Sequence, residues 1–382
     1  MLKDLTRSLP VVLLALVVAS VLTACAGPAV PSLLEPDQPA VPGIETAEDG
    51  SHQWQDLDWR DDQRHRAVPV RVYWPAGPQA EPPAGGWPVI IFSHGLGGSR
   101  RGYSYLGHYW ASQGFVALHV QHVGSDRRLW AGGFGASNSV ALMWRLNQAA
   151  QPREAIDRVR DMQFALDKLL TGELATRLNT RQIIVAGHSY GANTSLLLAG
   201  ARVGAPERFQ AGQAEMVLND PRIRAAILIS APPFYGEGDP GPIVGGITVP
   251  TLHISATMDE IRIPGYYSGP SDRVQLFEAT GGPRKALAMF KGGSHSIFTD
   301  RLNTGGEALN PQVKAATATL SVAWLRLVLN EQDGPLQTWQ TQHGALLSRW
   351  ESPMNTKVAG RGMRPATEAG HPDARLAPHP LQ

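Results

Sequence analysis

Ile183-Ile184-Val185-Ala186 is a short continuous apolar run, the signature of a strand buried on both faces, and it leads straight into Gly187-His188-Ser189-Tyr190-Gly191. Beyond that pentapeptide, Tyr190–Arg202 carries the composition of a helix. A G-x-S-x-G string alone is a weak signal, and an ordinary strand-to-helix turn is the plain alternative. Its setting between strand and helix gives it meaning: the two glycines leave room for a sharp turn in which a Cβ would strike neighbouring backbone. Ser189 is then presented at a helix start, where the amide groups favour developing negative charge. His188 leaves the strand in another direction and reads as a packed elbow residue, not as the base for Ser189.

Outward from this turn, strand and helix signals alternate. His52–Arg60 and Arg66–Trp74 read as strands around a polar turn, Pro88–Phe92 and Phe115–Val120 as buried strands, and Gly102–Gln113 as a helix stopped by Gly114. Glu154–Leu170 has apolar residues at Ile156, Val159, Met162, Phe164, Ala165, Leu166 and Leu169, a helical period. Ile223–Ile229, Thr251–Ser255 and Lys285–Phe290 complete the strands, and Val313–Leu329 is the closing helix. The pattern predicts an α/β class with a mostly parallel central sheet and helices on both faces. Ligands in such a fold gather beyond the carboxyl ends of the strands.

A serine hydroxyl is a poor nucleophile until a base takes its proton. With a strand–turn–helix nucleophile the partners are expected in the chain order serine, acid, histidine. Asp259 follows the strand signal at Thr251–Ser255 and is the candidate acid, with the adjacent Glu260 as competitor. His295 follows Phe290-Lys291-Gly292-Gly293-Ser294, a strand end and a flexible turn, and is the candidate base. Asp259 would then fix the His295 tautomer and stabilise its imidazolium form. His253 lies inside a strand and reads as a core or wall residue. The turn Ser93-His94-Gly95-Leu96-Gly97-Gly98-Ser99 exposes backbone N–H groups after an early strand, and the amides of Leu96 and Tyr190 are the candidate oxyanion hole. No Gly-Lys-Ser/Thr follows that turn, so phosphate-loop chemistry is excluded. His119 and His122, three apart at a strand end with no acidic third ligand nearby, read as packed loop residues and not as a metal pair.

The whole chain has 382 residues, 43% hydrophobic and 18% charged, with 34 Lys+Arg against 33 Asp+Glu. A formal net charge of +1 gives no basic footprint for nucleic acid. The single cysteine excludes a disulfide framework and any cysteine-cluster zinc site. That cysteine, Cys25, closes Leu22-Thr23-Ala24-Cys25 after a basic start at Lys3 and Arg7 and a fourteen-residue apolar run, Leu9–Leu22. Such a run is short for a bilayer core of about 30 Å and suits a signal segment. The tetrapeptide resembles the lipobox of bacterial lipoproteins. That resemblance implies a signal peptide over 1–24, a lipidated Cys25, and tethering on the periplasmic side of a bacterial membrane, with Ala26 favouring the outer membrane. A proline-rich spacer is expected over 25–52 and a catalytic domain over 53–332. The remainder, 333–382, is expected to hold one further helix at most, near Pro335–Trp350, before a disordered tail from 352.

Taken with Arg66-Ala67-Val68-Pro69-Val70-Arg71-Val72-Tyr73-Trp74-Pro75, Phe92-Ser93-His94-Gly95-Leu96-Gly97-Gly98-Ser99-Arg100 and Ala111-Ser112-Gln113-Gly114-Phe115-Val116, the elbow makes the chain similar to the α/β-hydrolases. The resemblance is to the branch of platelet-activating-factor acetylhydrolases and dienelactone-hydrolase-like bacterial proteins, over about residues 53–330. It implies a serine carboxylester hydrolase without cofactor, with Ser189, Asp259 and His295 as triad and a small-molecule or lipid ester as substrate. Dienelactone hydrolases proper use a cysteine nucleophile, which Ser189 departs from; Gly191-Ala192 also departs from a common Gly-Gly. Trp130–Ala150 reads as a lid or pocket wall that would set specificity together with Phe234-Tyr235 and Tyr266-Tyr267. A lipase-like or polyester hydrolase, and a catalytically silent hydrolase fold used as a binding module, are the competing readings.

Overall fold

The computed structural model describes residues 40, 43–78, 80–130, 136–203, 218–233, 238–263, 266–282, 284–302 and 304–353. The signal segment, Cys25, Gly132-Gly133, Gly135, Phe234-Tyr235 and the chain from 354 onward lie outside the described residues.

Ten strands form one sheet. In chain order they are β1 (Glu45–Thr46), β2 (His52–Asp61), β3 (Arg66–Pro75), β4 (Trp87–Ser93), β5 (Val116–Val120), β6 (Leu178–His188), β7 (Ile223–Ile229), β8 (Thr251–Met258), β11 (Ala286–Ser294) and β12 (Leu347–Glu351), with a separate hairpin of β9 (Ile261–Ile263) and β10 (Tyr266–Ser268). Their order across the sheet is β1-β2-β3-β5-β4-β6-β7-β8-β11-β12. The six strands from β5 to β11 are parallel, and antiparallel pairs close both edges. This is an α/β architecture with a mostly parallel central sheet.

Side chains along each central strand alternate between two cores, as the two-residue period of a strand demands. Ile90, Phe92, Ile184 and Ala186 enter the core shared with α1 (Ser104–Ser112), α7 (Leu309–Asn330) and α8 (Gly334–His343). Val89, Ile91, Ile183 and Val185 enter the opposite core, which α3 (Pro152–Leu170) and α4 (Tyr190–Ala199) cover. Helices α2 (Ala136–Ala149), α5 (Gly241–Val244) and α6 (Pro270–Ala279) complete the set among the described residues. None of these helices is long and apolar enough to cross a membrane.

Two boundaries differ from the sequence reading. The chain is already structured before 53, because Glu45-Thr46 pairs with Gln53-Trp54 of β2. It also remains part of the domain past 332. Helix α8 buries Leu336 and Trp339, the Trp339 indole donates to the Ala316 carbonyl at 2.9 Å, and β12 pairs antiparallel with β11. Pro335–Trp350 is therefore a helix followed by an edge strand, not a helix alone. The strand half was hidden because Leu347-Ser348-Arg349-Trp350-Glu351 is short and mostly polar, as solvent-facing edge strands are.

Candidate active site

Ser189 sits between β6 and α4 with φ 55° and ψ −120°, a sparsely populated backbone region for a residue with a side chain. Its N–H is bonded to the Ile229 carbonyl of the neighbouring strand at 2.9 Å. The turn is tight enough to forbid side chains on both sides: a Cβ at Gly187 would lie 2.2 Å from the Gly191 oxygen, and one at Gly191 would lie 1.9 Å from the Ser93 oxygen. The pattern of two glycines around the serine therefore has a steric cause.

Asp259 and His295 converge on this turn from the ends of β8 and β11. His295 Nε2 lies 2.8 Å from Ser189 Oγ, and His295 Nδ1 lies 2.7 Å from Asp259 Oδ1. The carboxylate orients the ring with Nδ1–H toward itself, leaving Nε2 to accept the serine proton. Asp259 is fully buried, while the His295 side chain is 19% exposed. Glu260, the competitor, instead faces outward and pairs with Arg262 at 2.7 Å.

Three residues around Asp259 were not singled out from sequence. Ser230 Oγ donates to Asp259 Oδ2 and lies 2.9 Å from His295 Nδ1; Ser255 Oγ donates to Asp259 Oδ2 at 2.6 Å; Arg273 Nη2 lies 3.3 Å from Asp259 Oδ1. Burial would raise the Asp259 pKa, but the His295 hydrogen bond and charge, the Arg273 guanidinium and Ser230 together hold it well below the usual carboxylate range. The carboxylate is thus ionised at neutral pH. Ser230 was discoverable: it is the first polar residue after the apolar run of β7, the position on its strand that Asp259 and His295 occupy near theirs.

His188 is a packed elbow residue. Its Nε2–H donates to the His295 carbonyl at 3.0 Å, so its Nδ1 accepts from the Tyr103 hydroxyl at 2.8 Å. Burial and the nearby His295 push its pKa down to about 3, which keeps the ring neutral and this donor pattern fixed. Tyr103 in turn accepts the Gly95 N–H at 3.4 Å. His253 is buried in β8 beside Thr251.

The loop after β4 is held peptide by peptide. The Gly95 carbonyl accepts from His94 Nδ1 at 2.6 Å and from Gly98 N at 3.0 Å. In a trans peptide the N–H points opposite to the carbonyl, so the Leu96 N–H is directed away from those donors. Trp130 closes over this loop, its indole N–H 3.1 Å from the Gly97 carbonyl. Tyr190 is the first residue of α4, where backbone N–H groups lack intrahelical acceptors. Trp130–Ala150, read as one lid or wall, is in its described parts a short 3-10 turn at Arg127–Trp130 and helix α2.

His119 and His122 do not form a pair. His119 bonds to the Gly102 carbonyl, whereas His122 Nδ1 lies 3.1 Å from Asp161 Oδ2, an acidic neighbour that α3 brings from far along the chain. No group of three or more His, Cys, Asp or Glu side chains among the described residues is arranged to hold a metal ion.

Residues 67–127 match the family model of platelet-activating factor acetylhydrolase, isoform II. The fold is that of the α/β-hydrolases. The matched stretch runs from β3 through the loop bearing Leu96 to the turn after β5, and the match supports a hydrolase of the esterase or lipase type. No curated protein matches the chain.

The floor of the site is charged. Glu154, Arg158 and Asp161 of α3 are all buried, and Arg66 bridges Asp161 at 2.9 Å and Glu154 at 3.3 Å. Burial pushes the Glu154 carboxyl up to about 7, against the opposing Arg66 charge and with Asp161 adding to the rise. A carboxyl that holds its proton more tightly folded than unfolded contributes stability that is complete below its unfolded pKa of 4.5 and is lost as pH rises through 7. Thermal unfolding between pH 5 and 8 should therefore show Glu154→Gln gaining on the wild type as pH rises. Melting curves that stay parallel over that range would contradict the assignment.

Proposed function

We propose that the protein is a serine carboxylester hydrolase acting through an acyl-enzyme, with Ser189 as nucleophile, His295 as base and Asp259 as the acid that orients it. The observation that carries this reading is the unbroken hydrogen-bond line from Ser189 Oγ through both His295 nitrogens to Asp259, 2.8 and 2.7 Å long, at the carboxyl end of the parallel strands. His295 Nε2 takes the Ser189 proton as Oγ attacks the ester carbonyl. The amides of Leu96 and Tyr190 hold the oxyanion, and the imidazolium, balanced by Asp259, returns its proton to the departing alcohol. Water, deprotonated by the same imidazole, then cleaves the acyl-serine. All charge formed in the cycle is met by groups already in place.

The family match supports an ester of short to medium acyl chain as substrate; a lipase-like or polyester hydrolase acting on long-chain or polymeric esters is the second reading. Chromogenic esters from acetyl to dodecanoyl, assayed on protein beginning at Ala26 beside Ser189→Ala, separate these. The expected result is a short-chain preference and a loss in the variant of at least about 10³-fold in kcat. A dodecanoyl preference would favour the lipase-like alternative. Equal activity in both proteins would remove Ser189 from the mechanism.

Tethering through a lipidated Cys25 belongs to the same proposal, supported by the apolar run Leu9–Leu22 that ends three residues before the chain's single cysteine. Full-length protein expressed in a bacterium should fractionate with membranes, and Cys25→Ser should lose the lipid mass from the mature chain. Identical masses, apart from the substitution, would contradict it.

A further inference from the structure

Helix α3 carries a cation under the elbow that takes no part in the proposed acyl transfer. Arg158 is fully buried, and among the described residues no carboxylate pairs with it directly. A buried charge in that position costs several kcal/mol unless its hydrogen bonds are met, and here they are met by groups from three segments. Nε donates to Thr194 Oγ1 of α4 at 3.0 Å, Nη1 to Ser125 Oγ after β5 at 2.6 Å, and Nη2 to Ser93 Oγ at 3.0 Å and to the His94 carbonyl. The guanidinium also lies over the Tyr190 ring, 4.4 Å from its centroid.

Its charge is balanced at one remove. Ser125 passes its proton donation on to Glu154 Oε1 at 2.8 Å. Ser93 Oγ is 2.9 Å from His122 Nε2, and His122 Nδ1 faces Asp161. With Asp161 accepting from Nδ1–H, Nε2 must accept from Ser93, so the chain from Arg158 to Asp161 has a single direction. Burial and the adjacent Arg158 charge keep His122 neutral, as that direction requires.

The atoms gripped are those next to the two amides assigned to the oxyanion. The His94 carbonyl is one peptide before the Leu96 N–H, and Thr194 and Tyr190 belong to the first turns of α4, whose leading amide is that of Tyr190. We infer that Arg158 is a positioning residue that sets the separation and aim of the Leu96 and Tyr190 amides, by joining the loop after β4 to the start of α4 through one rigid guanidinium. This rests on the esterase reading. A planar fork with five donors can span both segments at once, whereas an ammonium, a single point of donation, cannot. Arg158→Lys therefore keeps the charge and removes the span.

The test compares an ester with the matching thionoester, whose developing charge falls on sulfur, a weaker acceptor that gains little from oxyanion amides. Arg158→Lys is expected to lower kcat for the ester about 10- to 100-fold, with KM changed less than about threefold, while the thionoester rate falls much less. An unchanged kcat in folded Arg158→Lys, or an equal fall for both substrates, would overturn the inference. Thr194→Val removes the α4 arm, together with the 3.2 Å bond from the Thr194 hydroxyl to the Tyr190 carbonyl, at nearly constant volume and serves if the lysine variant fails to fold. It should give a smaller loss, about three- to tenfold, again confined to the ester; an unchanged ester-to-thionoester ratio would count against Arg158. Wild-type protein without Ser189-dependent turnover would instead overturn the esterase reading, and this one with it.

Discussion

One backbone conformation organises this molecule. Ser189 can expose its hydroxyl only because the chain leaves β6 and enters α4 through φ 55° and ψ −120°, a geometry that costs about 1–3 kcal/mol and persists only where the surroundings enforce it. The surroundings here are the centre of the sheet. β6 is flanked on both sides by parallel partners, its residues from Ile183 to Ser189 are buried, and the Ser189 amide is tied to Ile229. The burial of that strand and of α4 is much larger than the local strain, so the strain is held and not relaxed. Gly187 and Gly191 are dictated by the same closeness, since either Cβ would overlap backbone.

Around the strained turn, polar groups are paired in lines that each tie two or more segments together. Gly95, Tyr103, His188 and the His295 carbonyl form one such line, which joins the loop after β4 to the turn that bears His295. Arg158, Ser93, His122 and Asp161 form another below it. Both depend on imidazoles kept neutral by burial, because a second ring proton would reverse or break the donor sequence. Buried polar networks of this kind are favourable only when every member is satisfied, and they then fix a unique arrangement. That is the demand an oxyanion site makes of its loops, since the donors must be in place before charge develops.

The sheet and the central residues were legible because their signals are local. A continuous apolar run marks each central strand, and Ser189, Asp259 and His295 each follow one within a few residues. The structure brings those three together and leaves Glu260, the competitor to Asp259, outside. What escaped is non-local. Glu154, Arg158 and Asp161 recur at the spacing of one helical face, yet hydropathy assigns charged residues to solvent; only β3, with Arg66, and the loop after β5 make that face a buried ionic one. Arg273 and Ser255 reach Asp259 from α6 and β8, and nothing in their own neighbourhoods marks them. The edge strand β12 was missed because a half-exposed strand of five residues has too short an alternation to read against a tail rich in proline and glycine.

In the proposed mechanism Ser189 is a nucleophile activated by His295. Fluorophosphonate labelling followed by peptide mass spectrometry tests it most directly, because the reagent traps a serine only when a base and an oxyanion site act on it. One adduct per chain is expected, on the peptide containing Ser189, together with its loss in His295→Ala with the fold retained. An adduct on another residue, no adduct on active protein, or undiminished labelling of Ser189 without His295 would contradict it.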